Sequence, residues 1–245
     1  VPVAVTFLGC GDAFGSGGRF HTCILVAGGG RRILLDCGAS SLIAMRRFGC
    51  DPHSVEAVLL THLHGDHFGG LPFLLLEAHF GGRADPLVIA GPPGTRDRLT
   101  AAVDVLFPGS SSLEWNFPWT VVELEAGRPA EVGGISVVPF PVRHGIETAF
   151  ALRVGVADRV VTYTGDTEWT DTLAAAARGS DLLICECTMY DRPVRGHLDL
   201  TTLLAHRREL RAERVILTHM GPEVLARACS LPFETAEDGK TVTLD

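Results

Sequence analysis

Ten residues constrain this chain more than any others: Thr61-His62-Leu63-His64-Gly65-Asp66-His67-Phe68-Gly69-Gly70. They follow an apolar stretch, Val55 to Leu60, that reads as a buried strand, and precede a helix-like apolar run, Leu71 to Phe80. Three imidazoles and a carboxylate within six residues are costly to leave unpaired. Imidazole and carboxylate are ligands that zinc, manganese and iron accept. Gly69 and Gly70 read as residues that let the chain turn sharply and bring its backbone close to a metal. A solvated polar turn is the plain alternative, but turns seldom collect histidines. A helical metalloprotease site needs His-Glu-x-x-His on one face, which Gly65-Asp66 does not supply.

The stretch resembles the His-x-His-x-Asp-His motif of the metallo-β-lactamase superfamily. That family needs three more ligands: a downstream His after a strand, then an Asp, then a last His after a strand. His144, Asp166 and His219 fill these places, in Val142-Arg143-His144, Thr164-Gly165-Asp166-Thr167 and Ile216-Leu217-Thr218-His219. The resemblance covers nearly the whole chain. It implies an α/β fold, an αββα sandwich of two mixed β-sheets with helices on the outer faces, as one domain over residues 1–245. Periodicity alone gives only mixed α and β. The resemblance also implies two divalent metal ions, zinc first, with manganese or iron as alternatives. His62, His64 and His144 would hold the first, and Asp66, His67 and His219 the second. Asp166 would bridge both, and Asp66 also counts among the catalytic residues. Two such ions about 3.5–4 Å apart share a hydroxide and clamp the oxygens of a displaced group, so the reaction class is hydrolysis.

Composition narrows the setting. The hydrophobic content of 46% and charged content of 20% are those of a soluble globular protein. No apolar run approaches the roughly 20 residues needed to span a bilayer, so no membrane partner is expected. No charged segment followed by an apolar one opens the chain. It begins at Val1 rather than Met, which leaves room for a few residues before it, and nothing in the sequence supports a removed signal peptide. Cys10, Cys23, Cys37, Cys50, Cys185, Cys187 and Cys229 are odd in number and scattered, which favours a reducing cytoplasm over a disulfide framework. Cys185-Glu186-Cys187 is read as apolar packing on one strand face with Glu186 on the other, rather than as a metal pair. The net charge of −8 argues against broad nucleic-acid binding but leaves room for a small anionic substrate.

In chain order, Val3 to Leu8 is an alternating strand, followed by the glycine-rich loop Gly9 to Gly18. That loop does not open a helix, so it is neither a Rossmann nor a P-loop site. It is either a plain turn or, by resemblance to ribonuclease Z and smaller phosphodiesterases, part of an active-site mouth. Thr22 to Ala27 and Arg32 to Asp36 are paired strands. Asp36 closes an apolar strand and needs a partner; by resemblance it lies beneath the metal ligands, with a cap on a helix at Ala39 to Phe48 as the alternative. Pro86 to Ala90 is a strand and Thr95 to Phe107 a helix. Phe107 to Trp119 is either a packed surface loop or an apolar wall over the metals. Strands follow at Ile135 to Pro141, Thr148 to Val154, Arg159 to Tyr163, Asp181 to Cys187, Val215 to Leu217 and Thr241 to Leu244. Helices are expected at Thr170 to Arg178 and Leu198 to Leu210.

Two stretches bear on the substrate. Leu183 to Thr188 resembles the ribonuclease Z strand ending in His-Glu-Ala-Thr, and Gly196 to Thr201 resembles that family's His-Ser-Thr stretch. By that likeness Glu186 and His197 form a catalytic pair, His197 assisting the leaving oxygen. Cys185, Cys187 and Leu198-Asp199 depart from the pattern. The region resembles better the small cyclic phosphodiesterase of phosphonate degradation, which has His-x-Asp-Leu followed by a helix and a closing strand with Leu-Thr-His. Ribonuclease Z also inserts a long tRNA-gripping arm between its downstream His and its bridging Asp, whereas only 21 residues separate His144 from Asp166. The expectation is therefore a dinuclear hydrolase of small or cyclic phosphodiesters acting through a metal-bridging hydroxide. A carbon-ester hydrolase is the runner-up; tRNA 3′ processing and a non-catalytic metal protein follow. Nucleic acid beyond small or cyclic nucleotides is not expected, and family analogy adds a homodimer. Arg143 and Arg195 sit beside proposed site residues, but strand alternation turns Arg143 away if His144 points in. His21, His53, His79 and His206 match no motif.

Overall fold

A computed structural model describes residues 1–145 and 148–245. The first half runs β1 (Val3–Gly9), β2 (Cys23–Gly28), β3 (Arg31–Leu35), α1 (Ser41–Arg47), β4 (Ala57–Leu59), α2 (Gly65–Phe68), α3 (Leu71–Phe80), β5 (Leu87–Gly91), α4 (Thr95–Leu106) and β6 (Trp119–Glu123). The second runs β7 (Ala130–Val132), β8 (Ile135–Val142), β9 (Ala149–Val156), β10 (Arg159–Tyr163), α5 (Asp171–Ala177), β11 (Ser180–Glu186), α6 (Leu200–His206), β12 (Ala212–Thr218), α7 (Pro222–Leu225), β13 (Glu234–Thr235) and β14 (Thr241–Leu244). Among the described residues these strands form two seven-stranded sheets, β14-β1-β2-β3-β4-β5-β6 and β13-β12-β11-β10-β9-β8-β7.

Each sheet has an antiparallel half and a parallel half. β1, β2 and β3 pair antiparallel, then β3 to β6 run parallel. In the second sheet β7 to β10 alternate, and β10 to β13 run parallel. Parallel neighbours need a crossover, which the helices α1, α3, α4, α5 and α6 supply.

Alternation along each strand sorts the side chains into layers. On β11, Leu182 and Ile184 face the core between the sheets, where they meet Phe7, Ile33, Val154 and Ile216. Leu183 and Cys185 face the other way, toward Leu173 of α5 and Leu203 of α6. Leu34, Val58 and Ile89 of the first sheet likewise cover Met45, Leu74, Leu75 and Leu99 of α1, α3 and α4. The result is the expected αββα sandwich. Each fully buried large side chain contributes about 1.5–3 kcal/mol, and the period-two alternation decides which layer receives it.

The sequence reading differs from the structure chiefly at edges. β6 occupies Trp119–Glu123, just past the segment read as a loop, and β7 and β13 were not expected. β6 alternates weakly and is largely exposed, as an edge strand must be, so it carries little apolar signal. α6 stops at His206 rather than Leu210, because Arg207, Arg208 and Glu209 present only exposed polar faces.

The glycines beside the motif also act differently. Gly69 and Gly70 have ordinary φ values of −66° and −82°. Gly70 is needed for close approach between segments: a Cβ there would lie 2.3 Å from the Gly38 carbonyl oxygen, and one on Gly38 2.1 Å from that of Asp66. The contact locks the segment after β3 to the His/Asp stretch, with Cys37 N–H donating to His67 O and Gly70 N–H to Cys37 O. Gly38→Ala is therefore expected to cost about 1–3 kcal/mol of stability and to weaken metal binding. Urea unfolding with a metal titration checks this. Unchanged values in both would mean the backbones are free to separate.

Candidate metal centre

Strands of both sheets deliver their chemistry at their carboxyl ends, where open α/β sheets bind ligands. β3 is followed by Asp36, β4 by His62 and His64, β8 by His144, β10 by Asp166 and β12 by His219, while Glu186 closes β11. Asp66 and His67 lie in α2. Asp36 and His219 adopt left-handed backbone at φ 59° and 53°. Non-glycine residues rarely accept this strain, and it collects at functional sites.

The side chains from both sheets converge. His62, His64 and His144 form one group of donor atoms, and Asp66, His67, Asp166 and His219 a second, each within 4.8 Å. In the first, His64 Nδ1 lies 3.2 Å from His62 Nε2 and 2.9 Å from His144 Nε2. In the second, Asp66 Oδ2 lies 3.2 Å from both His67 Nε2 and His219 Nε2. Asp166 stands between them: Oδ1 is 3.3 Å from His67 Nε2, and Oδ2 is 3.4 Å from His219 Nε2, 3.8 Å from His144 Nε2 and 4.0 Å from His62 Nε2. The seven residues named from the sequence thus lie together in the grouping the resemblance implied.

The hydrogen bonds around the group fit two cations. His67 Nδ1–H donates to Asp36 Oδ2 at 2.7 Å, and His144 Nδ1–H to the Gly196 carbonyl at 2.7 Å. The Thr61 hydroxyl donates to Asp36 Oδ2 and so accepts from His62 Nδ1–H at 3.0 Å. The Thr188 hydroxyl donates to Glu186 Oε2 and accepts from His219 Nδ1–H at 3.1 Å. Four imidazoles therefore spend their proton outward and aim a bare Nε2 lone pair inward. Asp166 Oδ1 is buried and in no hydrogen-bonding geometry. Inward lone pairs and an orphaned carboxylate oxygen call for positive charge at the centre, as Nδ1-anchored imidazoles do around metals.

Electrostatics point the same way. Burial penalises charge on Asp66 and Asp166, yet the neighbouring imidazoles, His219 and His67 foremost, hold both well below the usual carboxylate range. Burial opposes protonation of His67, but Asp166 and Asp36 draw a proton onto it and raise its pKa well above the ordinary value. His62 is pushed the other way, by burial first and then by His67.

Beside the group stand His197 and Glu186. His197 Nδ1 lies 3.2 and 3.3 Å from the two Glu186 oxygens and 4.0 Å from Asp166 Oδ2. Glu186 is itself fixed by Thr167 N–H and the Thr188 hydroxyl. Burial works against charge on His197, but the Glu186 hydrogen bond and charge, then Asp166, outweigh it and push its pKa up to about 9. Two cations nearby would offset part of that rise.

Other expectations sort cleanly. Asp36 accepts from Thr61 N–H, Thr61 Oγ1–H and His67, and the helix at α1 has Ser40 before it, so Asp36 supports the ligands rather than capping α1. Cys185 and Cys187 pack in the outer apolar layer, and no metal-competent group among the described residues includes a cysteine. Arg143 points to solvent, 3.4 Å from Glu168. The Phe107 to Trp119 segment packs on the outer face of the first sheet, Trp115 edge-on to Trp119 at 5.7 Å and to His79 at 5.6 Å, so it is a packed loop and not a wall of the cleft. His53 faces Glu77, and His206 stacks on Trp169. The glycine-rich loop does reach the centre: Asp12, Ala13, Phe14 and Ser16 line the same cleft of about 710 Å³ as His64, Asp166 and His197. Thr188 and Arg192 were missed. Only their position between Glu186 and His197 could have drawn notice.

Residues 31–220 match the family model described as "Beta-lactamase superfamily domain". The chain belongs to the metallo-β-lactamase superfamily. Among curated members, the Ribonuclease Z of Bradyrhizobium diazoefficiens is 26% identical over 287 aligned positions, covering 93% of this chain and 94% of that protein. Of solved members, the short form of human tRNase Z superposes with a TM-score of 0.78 at 26% identity, covering 98% of each chain. A diphosphatase of the PhnP family shares the fold at a TM-score of 0.77 and 20% identity, covering 99% of this chain and 98% of its own. No helix among the described residues is long and apolar enough to cross a membrane.

Proposed function

We propose that this superfamily member is a dinuclear metal hydrolase of phosphodiesters, acting on small or cyclic substrates. The observation that carries the reading is the His197–Glu186 pair set beside the His/Asp group. A poor oxygen leaving group on phosphorus calls for such a proton donor beside a metal-activated water. His62, His64 and His144 would hold one cation and Asp66, His67 and His219 the other, with Asp166 between. Bound there, two divalent cations supply Lewis acidity and an acidified water.

The chain's own residues do the rest. Asp36, Thr61, Thr188 and the Gly196 carbonyl keep the ligand imidazoles in the tautomer that faces inward. Glu186 engages His197 Nδ1, leaving Nε2 for the substrate. Water gives up one proton to solvent and its oxygen bonds to phosphorus, the bond from phosphorus to the leaving oxygen breaks, and His197 Nε2 gives that oxygen its proton, His197 then regaining one from solvent. The products are a phosphomonoester and an alcohol. Zinc is the expected metal, since His and Asp donors suit it, with manganese or iron as substitutes.

The relatives' names support a second reading, tRNA 3′ processing. The aligned length of 287 positions exceeds the 245 residues of this chain, so that Ribonuclease Z carries segments this chain lacks. Between His144 and Asp166 the described residues hold the two strands β9 and β10 and the turn that joins them. The net charge of −8 also opposes a polyanion as long as tRNA. An aryl phosphodiester, a 2′,3′-cyclic nucleotide, a tRNA precursor, a lactone and a cephalosporin, offered to zinc-loaded protein, test the ranking. Phosphodiester turnover that disappears with chelator and returns with zinc is expected. Turnover of the carbon esters alone would remove the phosphodiesterase reading, and tRNA cleavage with no small-substrate activity would promote the second.

A further inference from the structure

One side chain at the mouth of the cleft is placed at a cost the fold does not explain. Phe14 is 93% exposed, the most exposed large apolar side chain among the described residues, and it lines this cleft. Leaving a phenyl ring in water forgoes its burial energy. Its loop is firmly built. Asp12 Oδ1 accepts the N–H groups of Phe14 at 3.2 Å and Ser16 at 2.8 Å, and Oδ2 accepts the Ser16 hydroxyl at 2.6 Å. A Cβ on Gly17 would lie 3.1 Å from Leu225 Cδ1, so the loop rests on α7, the helix that follows His219. The ring is thus held out on a braced support.

The cleft it borders has two characters. Its floor is the His/Asp group and His197. Its upper walls are Ala13 and Phe14 on one segment and Met189 and Val194 on another, with the Arg192 guanidinium among them. Arg192 makes no ion pair among the described residues. A ligand filling this cleft has an anionic centre for the floor and a flat apolar group for the mouth.

We infer that Phe14 is a specificity-determining residue that stacks on a planar aromatic group of the substrate, and that this group is a nucleobase. The inference rests on the phosphodiester reading, which puts an anionic centre on the floor of the cleft that Phe14 also lines. Nucleobases present a flat face that stacks on aromatic side chains whatever their edge. A preordered ring makes that contact without an ordering cost.

Two measurements on zinc-loaded wild type, Phe14→Ala and Phe14→Trp test it. In the first, thymidine 5′-(4-nitrophenyl phosphate) and methyl 4-nitrophenyl phosphate share a leaving group and differ in the nucleoside. The wild-type ratio of kcat/KM between them is expected to fall about tenfold in Phe14→Ala, through KM, and to be kept in Phe14→Trp. An unchanged ratio overturns the inference. In the second, calorimetry compares thymidine 5′-monophosphate, hexyl phosphate and methyl phosphate. Selective weakening of the nucleotide in Phe14→Ala supports the subsite; equal weakening of hexyl phosphate would make it a general apolar contact and overturn the nucleobase assignment. Nucleotide binding that depends on Phe14 without any phosphodiester turnover would leave the subsite standing and remove the reaction.

Discussion

Asp166→Asn is expected to reduce bound zinc from two ions per chain to one or fewer and to lower phosphodiester turnover by about 10³-fold or more. The substitution keeps the shape of the side chain and removes its charge. Asp166 stands within 4.0 Å of imidazoles from both ligand groups, and its Oδ1 has no hydrogen bond to lose. Removing the negative charge leaves the inward Nε2 lone pairs with two cations and no bridging anion, so mutual repulsion of the cations goes unscreened at the centre. Elemental analysis after dialysis against trace zinc reads the stoichiometry, and a thermal melt shows that the variant is folded. Two zinc ions and near-normal rates in Asp166→Asn would show that the carboxylate does not join the two groups.

His197→Ala separates the proton donor from the metals. Turnover of a dialkyl-type or nucleoside phosphodiester is expected to fall about 10²–10⁴-fold, the usual worth of general acid catalysis. With 4-nitrophenolate as leaving group, which departs without needing a proton, the loss should be under about tenfold, because there is little charge to neutralise. Zinc content should not change, since the four imidazoles anchored through Nδ1 do not include His197. Glu186→Gln should follow the same leaving-group pattern more weakly. Equal losses on both leaving groups in His197→Ala would reassign the residue to substrate placement, and a fall in zinc content would make it a ligand.

The legible part of the site was the part built from costly residues at strand ends. His62, His64, Asp66 and His67 are packed too densely in sequence for a turn, and His144, Asp166 and His219 each close an apolar strand. Asp36 was legible for the same reason, a carboxylate ending a run of leucines. Thr188 was not. A threonine after a strand is ordinary, and its junction of Glu186, His197 and His219 exists only when β11 and β12 lie side by side. Phe14 hid among glycines, whose clustering marks a turn whatever the turn presents. In the fold, the inner strands announced themselves by alternation, while β6, β7 and β13 at the margins bury one face at most and leave a weak pattern.

The roles of the glycines show how spacing can be right for another reason. Gly69 and Gly70 were read as a sharp turn toward the metal. In the fold Gly70 is the place where one backbone touches another, Gly38 on the facing segment needs the same freedom, and Gly69 closes on the Gly65 carbonyl of its own turn.

The centre takes His62, His64, Asp66 and His67 from the half of the chain that builds one sheet, and His144, Asp166 and His219 from the half that builds the other. Neither half holds a complete set of donors. A complete set therefore exists only where the halves are docked, and cations held there would rivet the seam in addition to the apolar core the sheets share. Metal supply would then shift the stability of the chain as well as its rate.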